Sequence, residues 1–263
     1  GLEVLVNQIL LRRMKTDVLD DLPPKIDIDQ PIVMRGDERA SYDGIIEIIR
    51  ADNSSSDSIL RAIGLLQQYT SHPEQLEDSL TFNFERLKSS SAKLTRLFEL
   101  LDVIRARDEK VLVFANHIKT IDILMFAVKE KFAVTAFSID GRVDKSERLS
   151  EIDRFSAVVG FAVMVLNPTT AGMGLNITAA NHVIHYSRQW NPALEEQATA
   201  RAFRNKQPKA VNVYYMFYVD TIEEVIDERL RKKRQLSSRV INTVDDKESE
   251  MDAMINYITN RGS

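Results

Sequence analysis

The chain alternates short apolar runs with segments of helical spacing from residue 91 onward, and this alternation limits the possible folds more than any other feature. Apolar residues in the intervening segments recur three and four positions apart, which is the period of an amphipathic helix. Strands that alternate with helices in this way favour a parallel sheet with helices on both faces. We therefore predict an α/β fold whose ligands bind beyond the carboxyl ends of the strands. The predicted strands are residues 111–114, 134–139, 161–166, 182–186 and 211–219.

The segments that flank this region have other patterns. Residues 77–90 are polar and lack clear periodicity, so we expect a connecting segment and a subdomain boundary there. Thr221 and Glu224 have the spacing of a capping box and predict a long terminal helix. Its basic run, residues 229–234, fits either a phosphate contact or a solvated helix face. Further helices are predicted near residues 3–18, 37–50, 57–71, 94–104, 118–128, 149–155 and 173–180 and after Asn191-Pro192, and an extended stretch at 26–33.

Composition narrows the function classes. The chain has 263 residues, a formal net charge of −4 and no cysteine, which excludes disulfides and thiolate catalysis and fits a reducing cytoplasm. A free-standing nucleic-acid binder is usually basic, so such a role must rest on local patches or on a partner. No apolar run approaches the roughly 18 residues that would span a bilayer, so we expect no membrane segment.

The stretch from residue 167 to 207 carries most of the chemistry. Gly172 and Gly174 follow a predicted strand, where glycines let the backbone approach an anion closely. Arg201 and Arg204 are three residues apart on a helix and share a face, and the arginine fork suits phosphate. The glycines could equally form a tight strand-to-helix turn without a ligand, and the arginines could be solvated residues of a helix. The local sequence leaves these alternatives open.

Half of a nucleotide site is missing from the sequence. No G-x-x-x-x-G-K-[ST] motif occurs, and no apolar strand ends in an Asp-Glu pair suited to magnesium. The chain is therefore not expected to bind and hydrolyse a nucleotide alone. The histidines form no metal motif, because His182 and His185 lie three apart in a strand and point to opposite faces. We predict no metal site.

Taken in order, the motifs resemble the C-terminal half of SWI/SNF-family DNA-dependent ATPases, which belong to helicase superfamily two. The sequence around Trp190 resembles prokaryotic members of this family more closely than nucleosome remodellers. The resemblance covers about residues 10–240, and the ordered series is far more specific than any single motif. It is carried by Leu11–Val18 with Leu22–Lys25, His72-Pro73, Ser91–Leu94, Lys110–Phe114, Asp140-Gly141 with Arg148 and Phe155, Thr170–Asn176, and Trp190–Pro192 with Gln197 and Arg201–Gln207.

This resemblance implies two RecA-like lobes that hold ATP between them and close on double-stranded DNA. The chain would be the second lobe, and the N-terminal lobe would hold most of the ATP and the magnesium. Arg201 and Arg204 would be arginine fingers. Cofactor-binding positions would be Gly172, Gly174, Asn176 and Gln197, and DNA-backbone contacts would be Asn116, Arg142, Thr170 and Trp190. The isolated chain would be inactive, and DNA would be bound with little sequence preference.

The resemblance also implies a domain division. Residues 1–90 would form a linker and helical protrusion, residues 91–220 the RecA-like lobe, and residues 221–263 a bracing helix and tail. The family usually has an acidic residue where Ser187 stands, and often Ile-Gly where Asn205-Lys206 stands. An alternative therefore stays open, in which the lobe is catalytically idle and serves as a DNA- or protein-binding module in a larger complex.

Overall fold

The computed structural model describes residues 24–51, 56–77, 82–171, 175–189, 191–203, 209–237 and 257. Within these ranges six strands form one sheet in the order β1-β6-β5-β2-β4-β3, and every neighbouring pair is parallel. The predicted α/β architecture with a parallel sheet is confirmed. The strands are β1 (Lys25–Ile32), β2 (Lys110–Phe114), β3 (Ala136–Ile139), β4 (Ala162–Leu166), β5 (His182–His185) and β6 (Val211–Tyr218).

Helices connect the strands and cover both faces of the sheet. A 3₁₀ turn at Pro73–Leu76 follows the helix at Ser56–Ser71. The helices are α1 (Gly36–Ala51), α2 (Ser56–Ser71), α3 (Phe84–Ser90), α4 (Ala92–Ala106), α5 (Ile118–Phe132), α6 (Lys145–Ala157), α7 (Pro168–Ala171), α8 (Pro192–Thr199) and α9 (Ile222–Ser237).

The sheet has an apolar core on each face because successive side chains of a strand point to opposite sides. Val111 and Val113 of β2 belong to the core beneath α1, α2, α4, α5 and α9. Leu112 and Phe114 belong to the core beneath α6 and α8. All four side chains are fully buried. Burying one such side chain contributes roughly 1.5–3 kcal/mol, so strands that are apolar at every position are stable only between two helical layers.

Strand β1 is an edge strand of this sheet. It pairs with β6 from Lys25 opposite Val211 to Ile32 opposite Tyr218. The backbone N–H of Val211 donates to the carbonyl of Pro24 at 2.9 Å. The strand lies in the segment for which the resemblance implied a linker and helical protrusion, so part of that segment is built into the sheet.

Two local predictions are wrong. Residues 77–90 were expected to be a connecting segment, but helix α3 occupies Phe84–Ser90. It begins at Asn83, whose side chain accepts from the Arg86 N–H at 2.9 Å. A helix was expected at residues 173–180, but residues 175–180 are not helical and the short helix α7 lies before them. Asn167 explains this position, because its side-chain oxygen accepts from the Thr169 N–H at 3.0 Å and begins the helix early.

The other helix starts follow their capping residues. Asn191 accepts from the Ala193 N–H at 2.9 Å, which confirms the predicted cap and places Pro192 in the first turn. Asp144 occupies the N-cap position of α6, yet its side chain makes no capping hydrogen bond. None of the helices in the described ranges is long and apolar enough to cross a membrane.

Candidate functional site

Three loops meet at the carboxyl ends of β2, β4 and β5 through side-chain amides. Asn116, after β2, donates through Nδ2 to the Arg188 carbonyl at 3.0 Å. The Asn116 carbonyl accepts from Nδ2 of Asn167, after β4, at 2.9 Å. The Asn116 side-chain oxygen accepts from Nε2 of Gln189, after β5. The amide of Asn116, one of the predicted DNA contacts, therefore holds these loops together.

The Arg188 side chain lies under the same loops and is buried. Its Nε and Nη2 donate to the two carboxylate oxygens of Glu195 at 2.9 and 3.2 Å, and its Nη1 donates to Asp227. The guanidinium also stacks 4.9 Å above the ring of Tyr215. Burial raises the pKa of Glu195, but Arg188, His185 and the Gln189 N–H together outweigh burial, and the pKa lies below its ordinary value.

Arg201 joins the end of α8 to the segment that follows Gly174. Its Nη1 donates to the Leu175 carbonyl and its Nε to the Gln197 carbonyl, both at 3.0 Å. In return, the Ile177 N–H donates to the Arg201 carbonyl at 3.0 Å. The Arg201 side chain is buried in this arrangement. The other predicted positions of these motifs, Gly172, Gly174, Trp190 and Arg204, lie outside the described residues.

Arg142 lies in the loop after β3 between two carboxylates. Its guanidinium makes a two-pronged contact with Asp122 at 2.7 and 3.1 Å and another with Asp140 at 2.7 and 3.1 Å. Hydrogen bonds from Arg142 hold the pKa of Asp140 below its ordinary value, and the two carboxylates raise the pKa of Arg142. The side chain remains 51% exposed, so an anion could reach it from solvent.

The remaining predicted positions differ in accessibility. Asn176 and Gln197 are exposed near the Arg201 turn, so both are open to a ligand that approaches from solvent. Thr170 is buried, whereas its neighbour Thr169 is exposed. A hydroxyl contact from this helix to a large ligand is therefore easier from Thr169 than from Thr170.

A second buried polar cluster ties the helices behind the sheet to its carboxyl edge. Lys93 is fully buried, and its Nζ donates to both carboxylate oxygens of Glu223 at 2.5 and 2.6 Å. Glu38 accepts from the Tyr218 hydroxyl at 2.6 Å and from the Ala92 N–H at 3.0 Å. These bonds connect α1, α4, β6 and α9, so the helices before and after the sheet form one body with it.

Ser187, where the related family usually has an acidic residue, faces the end of α2. Its hydroxyl lies 3.2 Å from the Ser71 hydroxyl. A cavity of about 10 Å³ beside this pair is also lined by Asn116, Arg188 and Glu223, and it has room for one water molecule. The hydroxyl pair thus forms a neutral hydrogen bond at this edge.

The histidines are engaged within the core. His182 contacts Glu109 through Nε2 at 2.6 Å, and His185 contacts the Thr199 hydroxyl at 2.9 Å. They stack on Tyr214 and Tyr215, neighbours that point to opposite faces, as the three-residue spacing predicted. Among the described residues, no three His, Asp or Glu side chains are grouped as metal ligands. These residues do not fit a magnesium site.

Sequence reasoning missed the residues that hold the loops together, Arg188, Asn167 and Gln189. Asn167 and Asn116 each follow an apolar strand directly, and that shared position was a usable signal. Arg188 has the pattern of an ordinary charged residue in a loop, and its partners Glu195 and Asp227 are 7 and 39 residues away in the sequence. No local pattern marks it as buried.

Comparison with known proteins supports the same architecture. The family described as the helicase conserved C-terminal domain matches residues 92–206. YwqA of Bacillus subtilis strain 168, named as a candidate ATP-dependent helicase/translocase, is 34% identical over 251 residues, covering 92% of this chain and 27% of that protein. The chain spans about a quarter of the length of the curated relatives it matches.

Solved structures agree with the fold. The SWI2/SNF2 ATPase core of Sulfolobus solfataricus, solved in complex with double-stranded DNA, is 28% identical with a TM-score of 0.68, covering 89% of this chain and 50% of that one. The C-terminal part of the Fun30 ATPase domain has a TM-score of 0.69 at 21% identity, covering 90% of this chain and 97% of that one. At that identity the second match shows the fold alone.

Proposed function

The chain belongs to the SWI/SNF family as a C-terminal, RecA-like helicase lobe, and from this membership we propose that it is the second motor lobe of an ATP-driven translocase on double-stranded DNA. Relatives from Bacillus subtilis and Mycoplasma pneumoniae are named as ATP-dependent helicases. In this proposal the lobe supplies arginine fingers and contacts to the DNA backbone. The P-loop, most of the ATP and the magnesium ion belong to an N-terminal lobe of the same protein.

One observation carries the proposal. Arg201 and the segment after Gly174 exchange hydrogen bonds, from Arg201 Nη1 to the Leu175 carbonyl and from the Ile177 N–H to the Arg201 carbonyl. A residue that we propose acts on the γ-phosphate is therefore tied to the loop that runs from Thr170, a proposed DNA contact, to Asn176, a proposed nucleotide contact. A shift of either segment moves the other, which is the linkage that a motor requires.

The nucleotide half-site is proposed from this linkage. Arg201 and Arg204 would neutralise charge on the transferring phosphoryl group, as arginine fingers do. Asn176 and Gln197 are exposed beside the Arg201 turn, and Gly172 and Gly174 would let the backbone approach the nucleotide. To act as a finger, Arg201 would exchange its bond to Leu175 for a phosphate when the lobes close. Magnesium supplies charge neutralisation when bound, and its ligands are expected in the other lobe.

DNA binding is proposed through phosphate contacts at the carboxyl edge of the sheet. The Sulfolobus core was solved with double-stranded DNA, and we extend that ligand class to this chain. Arg142 is exposed there, and Asn116, Thr170 and Trp190 complete the proposed contacts. Contacts to phosphate carry no base information, so we expect little sequence preference and strong salt dependence. Duplex DNA as a substrate is consistent with a cytoplasmic protein.

The domain division is part of the same proposal. Residues 1–90 would contain the linker and a helical protrusion, residues 91–220 the lobe, and residues 221–263 a bracing helix and tail. Across this division, Arg231 of α9 contacts Asp227 of the same helix and Asp29 of β1 at 2.5 and 3.1 Å. Part of the basic run is thus already paired, which favours a bracing role for α9 over a phosphate contact.

The test is Arg204→Ala in a polypeptide that joins this chain to a P-loop lobe. We expect DNA-stimulated turnover to fall by about 10³-fold or more, because an arginine finger supplies that much transition-state stabilisation. ATP binding, measured with a fluorescent analogue, should change by less than about threefold, since the finger acts on charge that develops in the transition state.

Arg154→Ala is the matched control, because Arg154 is an exposed helix arginine of the same lobe and is paired with Glu151 only three residues away. It should hydrolyse ATP at the wild-type rate. Wild-type turnover by Arg204→Ala would refute the finger assignment. A joined wild-type protein that fails to hydrolyse ATP with DNA present would instead support the idle-lobe alternative.

A further inference from the structure

Arg188 occupies a position that the proposed function does not use. Its side chain is fully buried, and its partners Glu195 and Asp227 are each 2% exposed. Breaking such a buried ion pair is costly, whereas replacing the whole set with apolar side chains is often neutral or stabilising. Stability alone therefore does not explain why a core would hold these charges.

The partners of Arg188 lie on separate elements. Glu195 is on α8, two residues before Gln197 and six residues before Arg201. Asp227 is on α9, and its other oxygen accepts from Arg231, which reaches Asp29 of β1. One guanidinium thus links α8, which precedes Arg201 and Arg204 in the sequence, with α9, which follows β6.

The backbone of Arg188 is part of the loop cluster as well. Its carbonyl accepts from Asn116 Nδ2 at 3.0 Å, and the next N–H, of Gln189, donates to Glu195 at 3.0 Å. The loop that carries the proposed DNA contact at Asn116 therefore moves with Arg188. The side chain and the backbone of one residue join the proposed DNA edge to the proposed nucleotide edge.

We propose that Arg188 is a positioning residue that keeps α8, and with it Arg201 and Arg204, in register with the DNA-facing loops. This inference rests on the proposed motor function. It assigns Arg188 no contact with ATP or DNA. A fork that binds Glu195 with two nitrogens and Asp227 with the third fixes distance and angle together, which a single ammonium does not do.

The test compares Arg188→Lys and Glu195→Gln with Glu109→Gln in the joined two-lobe protein. Glu109 accepts a hydrogen bond from His182 and forms an ion pair with Lys209 at the amino ends of the strands, so its variant removes a paired carboxylate of the same sheet far from the loops. Four quantities are measured: DNA-stimulated kcat, KM for ATP, the thermal midpoint, and amide hydrogen exchange in peptides that cover α8 and α6.

We expect Arg188→Lys and Glu195→Gln to lower kcat by about tenfold or more, since misplacing a catalytic group by about 1 Å costs on the order of 10²-fold. KM for ATP should stay within about threefold of wild type, because binding by the P-loop lobe is untouched. Exchange should rise in α8 and not in α6. Glu109→Gln should retain wild-type kcat and α8 protection even where its thermal midpoint falls.

Two results would overturn the positioning role. One is wild-type kcat and α8 exchange in both Arg188→Lys and Glu195→Gln. The other is an equal loss of kcat in all three variants that follows their thermal midpoints, because that pattern reports stability alone. If the wild-type joined protein hydrolyses no ATP with DNA, the motor function fails, and α8 exchange in the variants still decides whether Arg188 positions the helix.

Discussion

Arg142 carries its charge between Asp122 and Asp140, and this arrangement sets the cost of placing a DNA phosphate beside it. Asp140 is almost completely buried, but Asp122 is 37% exposed. An exposed ion pair contributes only about 0–1 kcal/mol, so a phosphate can displace Asp122 at small cost. Asp122 thus occupies the place that a phosphate would take, while Asp140 fixes the direction of the guanidinium.

Asp122→Asn should therefore strengthen duplex binding, because it removes a competing carboxylate and leaves Arg142 held by Asp140. We expect the dissociation constant to fall by about two- to fivefold at low salt, which corresponds to the worth of one exposed ion pair. Arg142→Ala should weaken binding and reduce the slope of log K against log salt by about one, as for the loss of one phosphate contact. Fluorescence anisotropy over a salt series measures both.

The control is Asp102→Asn, which changes the net charge equally on the same lobe. Asp102 is exposed and lies 3.5 Å from Lys131. It should bind duplex with wild-type affinity. Equal tightening by Asp102→Asn and Asp122→Asn would mean that net charge, and not the contact with Arg142, sets the affinity.

At the scale of elements, His72 fixes the turn from α2 into the 3₁₀ helix and α3. Its Nδ1 accepts from the Glu74 N–H and its Nε2 donates to the Leu87 carbonyl, both at 3.2 Å, so the ring is neutral. Burial lowers the pKa of His72 from 6.5 to about 4. Between pH 6.5 and 4 the His72 imidazole is therefore protonated in the unfolded chain but not in the folded one. The free energy of unfolding should fall as the pH drops from 6.5 toward 4.

His72→Gln should lower the free energy of unfolding at pH 7.5 by about 1–3 kcal/mol, because one buried hydrogen bond is lost or distorted. The difference from wild type should shrink between pH 6.5 and 4.5, since the variant has no imidazole to protonate in the unfolded chain. Urea unfolding at several pH values measures both effects. A constant difference across this range would show that His72 keeps its ordinary pKa in the fold.

Elements with a complete local signal could be predicted from the sequence. Strand β4 is apolar throughout, β2 is apolar after Lys110, and α8 begins with an Asn-Pro cap. Helix α3 was missed because seven residues with one fully buried side chain, Leu87, are too short to show a period. The place of β1 in the sheet depends on its pairing with a strand almost two hundred residues away, and no local pattern encodes that partner.

The candidate site likewise has residues that the sequence predicts and contacts that only the fold determines. The motif series pointed to Arg142 and Arg201, but not to the groups that already bind them, Asp122 and the Leu175 carbonyl. Those contacts depend on which loops the sheet order places side by side. Arg188 was missed for the same reason, because its burial results from α8 and α9 packing around it.

At the scale of the whole molecule, we propose that the chain supplies one face of a nucleotide site. The described residues fit no metal site, and the sequence contains no P-loop. The buried bonds of Lys93 with Glu223 and of Glu38 with Tyr218 join α1, α4, β6 and α9. The lobe is therefore built to move as one body, and its proposed work requires a second body to move against.

The proposal that this lobe works only with a second lobe is tested most directly by steady-state ATP hydrolysis. Three proteins are compared, each with and without duplex DNA: the chain alone, a P-loop lobe alone, and the two joined in one polypeptide. We predict turnover only for the joined protein, stimulated by DNA, at a rate about 10³-fold or more above either lobe, since the arginine fingers act only on ATP held by the other lobe. Robust hydrolysis by the chain alone would contradict the account.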